Sequence, residues 1–158
     1  VHTRGGHRAL CNLAYHPSNT EAIASFGGIA CVLRAMTQHL ENRNIQHHGC
    51  AVLCNGARDR SSLTVARFGG LENVMVAMDT YTFDADLMEV AVKAMASINW
   101  FVDTEVQNKA RELKGIAIVR TVRNAHPNHT VIQSTCNEIL ARIDAPQVLS
   151  LEDEDLYN

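Results

Sequence analysis

Apolar positions along the chain recur at spacings of three and four, with no sustained alternation, which predicts helices throughout and no strand. Ile29, Val32, Leu33 and Met36 mark one helix after the turn residues Gly27-Gly28. Ile45, Cys50, Leu53 and Cys54 mark the inward face of the next, over 43–57. A second block starts near Ser61, a plausible cap. Leu63, Val65, Ala66 and Phe68 precede Gly69-Gly70, then come Leu71, Val74, Met75 and Met78, and then a predicted helix over 84–101. A third block starts at Asp103 or Thr104. Val106 and Ala110 precede Gly115, followed by Ile116, Ile118, Val119 and Val122, and a last helix spans 129–142. Before all of these, residues 5–15 read as a helix broken at Tyr15-His16-Pro17, because a proline disfavours helical backbone in the residue before it. Asn19 then caps a short helix carrying Ala22, Ile23 and Phe26.

The three blocks are copies of one unit. Gly28, Gly70 and Gly115 open equivalent stretches. Counting from each glycine, His39, Tyr81 and His126 coincide, as do Gln46, Met88 and Gln133. So do the small residues Gly49, Ala91 and Cys136, and the apolar Leu53, Met95 and Leu140. The chain begins inside an earlier copy: Gly6, Leu10 and Asn12 match Gly49, Leu53 and Asn55, and ALCNLA (9–14) parallels VLCNGA (52–57). A period this long fits helical repeats of two or three helices.

This recurrence, carried by ALCNLA, by NTEAIASFGGIACVL and by the second ALCN-like run, resembles the armadillo repeat. The resemblance covers about residues 5–143. It implies an all-α, right-handed superhelical α-solenoid of three-helix repeats. The parts would be a partial repeat over 1–18, repeats over 19–59, 60–102 and 103–143, and a separate acidic tail over 144–158. Each repeat would hold a short first helix, a glycine turn, a second helix and a longer third helix. The third helices would line a concave face that binds proteins.

The polar column on the third helices is Asn12, Asn55 and Ser97, with Arg142 next. An amide offers two donors and an acceptor, enough to hold an extended peptide backbone without reading its side chains. The resemblance matches Asn12 and Asn55 to the family's peptide-holding asparagines. One turn earlier stand Arg8, Ala51, Lys93 and Glu138, and two turns earlier Arg4, His47, Glu89 and Ser134. The nuclear-import receptors of the family carry tryptophans in the first of these columns. None is present here, so binding of a nuclear-localisation signal is not expected. With Asp59, the expected groove set is Asn12, Asn55, Arg8, Lys93, Ser97, Glu89, Asp59 and His47, mixed in sign.

Composition narrows this further. Aromatics make up only 5% of the residues against 46% apolar, as close helix stacking with small side chains requires. The net charge is −3, and Glu152–Asp155 supply four negative charges, so the remainder is nearly neutral, unlike the basic stripe of a nucleic-acid surface. No apolar run is long enough to span a bilayer, and no signal peptide is visible. The five cysteines lack a disulfide framework and suit a reducing, cytoplasmic or nuclear, setting. Cys11, Cys31, Cys50 and Cys54 fall on predicted apolar faces. His47, Cys50 and Cys54 share a stripe, but without the paired ligands a structural zinc site draws from a tight turn we read the cysteines as core and expect no metal or other cofactor. Trp100-Phe101 is expected to pack beneath the following repeat. The glycine pairs match no phosphate loop, and no catalytic constellation stands out.

The expectation is a non-catalytic interaction scaffold for an extended or helical protein segment. The alternative is a regulatory or oligomerising segment of a larger protein, perhaps an enzyme with its catalytic domain elsewhere. So few copies lie near the minimum for a stable solenoid, so flanking repeats or self-association through an exposed end are expected.

Overall fold

The computed structural model describes residues 27–57, 62–98 and 104–144, and these form eight α-helices with no strand among them. They are α1 (Gly28–Gln38), α2 (Arg43–Gly56), α3 (Ser62–Arg67), α4 (Gly70–Thr80), α5 (Ala85–Ser97), α6 (Thr104–Glu112), α7 (Gly115–Ala125) and α8 (Thr130–Asp144). The expected helix over 5–15, the Asn19 cap, the Ser61 cap, Trp100-Phe101 and the acidic tail beyond Asp144, which is itself the last residue of α8, lie outside the described residues.

Helices at the same place in successive blocks pack side by side. The long helices run α2 on α5 on α8, and the second helices α1 on α4 on α7. The core lies between these two rows. Met36, Leu53, Leu71, Met75, Met78, Leu87, Met88 and Met95 are all fully buried. Unbranched methionine fills irregular gaps between helices, which explains its prominence here.

Three sequence columns explain how each block is built. The residue before each second helix is left-handed: Gly27 (φ 74°), Gly69 (φ 89°) and Lys114 (φ 56°). The residue that follows must be small, because a Cβ on Gly70 would sit 2.7 Å from the Val65 carbonyl oxygen. Each long helix is then capped by a side chain at one equivalent position. Asn42 Oδ1 accepts from Ile45 N (3.3 Å), Asp84 Oδ1 from Leu87 N (3.0 Å) and His129 Nδ1 from Ile132 N (3.4 Å). Such bonds satisfy amides that the helix itself leaves open.

The third column closes the turn between second and third helices. Gln46 Nε2 donates to Met36 O (2.8 Å) and His39 O (3.0 Å), and Gln133 Nε2 donates to the equivalent Arg123 O (2.6 Å) and His126 O (2.9 Å). Met88 holds this position in the middle block and cannot donate. There Thr82 Oγ1 covers Met78 O, the equivalent of Met36 O, sharing its single proton between that carbonyl (2.9 Å) and Asp79 O (3.0 Å).

Successive blocks are tied at the same loops. Tyr81 Oη donates to Leu40 O (2.9 Å), and one block later His126 Nε2 donates to the equivalent Thr82 O (2.7 Å).

Two details depart from the sequence reading. The helix expected over 84–101 starts at Ala85 and ends at Ser97, because Asp84 is its cap and Ile98 turns extended (φ −71°, ψ 113°). Cys31, expected on an apolar face, is exposed, whereas Cys50 and Cys136 are buried.

Candidate functional site

The side-by-side packing of α2, α5 and α8 puts three rows of equivalent positions onto one ridge. His47, Ala51 and Asn55 come from α2, Glu89, Lys93 and Ser97 from α5, and Ser134, Glu138 and Arg142 from α8. Each trio has the four-residue spacing that keeps side chains on one helix face. Contacts between helices hold the rows in register. Cys54 Sγ lies 3.7 Å from Ser97 Oγ, and Arg142 Nη1 donates to Ala96 O at 3.3 Å.

Asn55 is half-buried. Ser97 is also half-buried, but its hydroxyl donates to Lys93 O (2.9 Å) in its own helix, the usual habit of serine within a helix. Asn55 is therefore better placed than Ser97 to meet an external polar group.

The charged residues of the ridge are largely engaged with one another. Lys93 Nζ lies 2.6 Å from Glu89 Oε1, and Arg142 Nη2 lies 2.5 Å from Glu138 Oε1. Glu89 also faces His129 Nε2 across the α5–α8 seam at 3.6 Å. The Lys93 bond holds the Glu89 carboxyl below its ordinary range. At the opposite end Arg43 forks onto Asp84, with Nε–Oδ2 at 2.5 Å and Nη2–Oδ1 at 2.9 Å, and reaches Asp86 at 3.5 Å. This bidentate bond pushes the Arg43 guanidinium up and the Asp84 carboxyl down, and it fixes α2 against the start of α5. Beside it, partial burial first and then the Arg43 charge favour the neutral form of His47. The ridge is thus a ladder of paired charges with no surplus of one sign.

Of the residues expected to line a groove, His47, Asn55, Glu89, Lys93 and Ser97 fall on this ridge. Asn12, Arg8 and Asp59 lie outside the described residues. Arg43 and Asp84 were not singled out by the sequence reading. Their signal is an arginine one block upstream of a capping aspartate, visible only once the blocks are aligned.

Among the described residues no three His, Cys, Asp or Glu side chains converge as a metal site would require. Cys50 is fully buried, and burial pushes its thiol up to about 12, so it stays protonated near neutral pH and is a poor nucleophile or ligand. No described helix is long and apolar enough to cross a membrane. Comparison of the chain with protein-family models, with curated proteins and with solved structures finds no match.

Proposed function

We propose that this chain is an armadillo-like α-solenoid that acts as a non-catalytic scaffold, holding an extended or helical segment of another protein along the ridge of its third helices. The observation that carries the reading is the ridge itself: the equivalent faces of α2, α5 and α8 lie side by side, with Asn55 and Ser97 at one repeating polar position. In this reading Asn55, with Asn12 one block earlier, binds the partner's backbone. His47, Glu89 and Lys93 set side-chain preference, together with Arg8 and Asp59.

The pairing of Lys93 with Glu89 and of Arg142 with Glu138 refines the proposal. A charged partner would have to compete with existing ion pairs, so specificity rests more on hydrogen bonding than on net charge. A cytoplasmic or nuclear setting accords with the free thiols at Cys31, Cys50, Cys54 and Cys136.

The test is selection of peptides from a displayed random library on the immobilised chain, followed by titration against Asn55→Ala and Lys93→Ala. Binding should weaken by about 1–2 kcal/mol with Asn55→Ala while the helical circular dichroism is unchanged, the cost of one lost hydrogen bond with unpaired partner groups. Failure to select any peptide, or affinity indifferent to both substitutions, overturns the proposal.

A further inference from the structure

Three columns of buried residues in the first two blocks change character in the last. Leu33 and Met75 occupy the first, Met36 and Met78 the second, and Cys50 and Val92 the third, and all six are buried. The first column meets the block that follows, since a Cβ on Gly115 would lie 2.5 Å from Met75 Cε; Met36 of the second packs on its own block, where a Cβ on Gly49 would run into its Sδ; and beside them Thr37 Oγ1 donates to Asn73 Oδ1 in the next block at 3.1 Å.

In the last block the same columns hold Arg120, Arg123 and Asn137. Arg120 and Asn137 are exposed and Arg123 is half-exposed, and Arg123 Nη1 donates to Asn137 Oδ1 across the α7–α8 seam at 3.1 Å. The replacement is confined to these three columns. The inward columns of the same block stay apolar, with Val119, Val122, Ile132, Cys136 and Ile139 buried.

From this switch we infer that the α7–α8 face is a terminal cap: it closes the stack against water and accepts neither a further repeat of this kind nor the end of a second copy of the chain. Burying two guanidinium groups and an amide under an apolar neighbour leaves unpaired every donor that the Arg123–Asn137 bond does not use, a cost that stacking cannot recover. Arrays of stacked repeats need a polar end face of this sort to stay soluble. Repeats that lengthen this array therefore lie on the α1–α2 side, and self-association through the α7–α8 end, one route expected from the sequence, is blocked.

The test compares the full chain with Arg120→Leu/Arg123→Met/Asn137→Val, which restores the apolar columns, by sedimentation velocity over a range of concentrations. The triple variant should self-associate at least about tenfold more tightly than the parent, an energy of the size a small apolar patch supplies. A folded variant that associates no more than the parent overturns the inference. Asn137→Glu provides a second arm that does not depend on the triple variant folding. A carboxylate on a solvent-facing cap should leave melting temperature and association state unchanged. A marked drop in either shows that something packs on this face, and the cap assignment then fails.

Discussion

Gln46 offers the sharpest quantitative test of the packing logic. Its side chain is 1% exposed, and one Nε2 group holds two carbonyls at the end of α1. Among the described residues its Oε1 has no partner, so the glutamine already carries a desolvation penalty. Gln46→Met puts in the residue that Met88 supplies in the middle block. It conserves volume, removes two bonds worth about 1 kcal/mol each, and relieves a buried acceptor worth about 1 kcal/mol in the other direction. The net loss is about 1 kcal/mol, or roughly 2–4 °C in a chain of this size. Leu40→Thr then supplies the hydroxyl that Thr82 supplies in the middle block, aimed at the carbonyls of Met36 and Thr37. Added to Gln46→Met it should recover about 1 kcal/mol, yet give little in the parent, where Gln46 already occupies the Met36 carbonyl. The assay is urea unfolding of the parent, both single variants and the double variant, followed at 222 nm, with the coupling taken from the cycle. The reasoning fails if Gln46→Met unfolds at the parental urea concentration, or if Leu40→Thr shifts stability equally in both backgrounds.

Four further outcomes are expected. Gly70→Ala should cost about 2–4 kcal/mol in urea unfolding, because its methyl group would press on the Val65 carbonyl, and backbone has little room to yield. Lys114→Gly should raise stability by about 1 kcal/mol, since Lys114 holds the left-handed position that glycine fills at 27 and 69. Asp84→Asn should destabilise the chain at neutral pH and progressively less as pH falls. The Asp84 carboxyl is held below its ordinary value by Arg43, so its contribution is complete above about pH 4 and disappears as pH drops through the folded value; an equal deficit at pH 7 and pH 3 in chemical denaturation would contradict this. A thiol reagent at pH 8 should label exposed Cys31 at once but Cys50 and Cys136 only after unfolding. Burial pushes those thiols up to about 12 and about 11 respectively, and mass spectrometry of timed samples distinguishes the cases.

The helical character was legible because the apolar spacing repeats three times and tertiary packing agrees with it. The inward rows Val32, Val74 and Val119 are buried as the period requires. Helix ends were less legible. The stop at Ser97 depends on backbone geometry at Ile98, which apolar spacing does not encode. The capping column needed two steps: alignment of the blocks, then recognition that Asn42, Asp84 and His129 share an acceptor despite differing in charge and shape. Gln46 and Gln133 were visible as a recurrence, but a column interrupted by Met88 gives no hint that a threonine six residues upstream substitutes for it. The ridge was only partly legible. Spacing placed His47, Asn55, Glu89, Lys93 and Ser97 together, while the pairing of Lys93 with Glu89 depends on rotamers that spacing leaves open.

The bonds from Tyr81 to Leu40 and from His126 to Thr82 all lie in the turns between second and third helices. Sliding one block past the next would stretch these directional bonds. A motion that pivots about these turns leaves both bonds in place. The turns therefore act as a stitched spine: of the relative motions open to neighbouring blocks, pivoting about the turns keeps the ladder of loops intact and sliding does not.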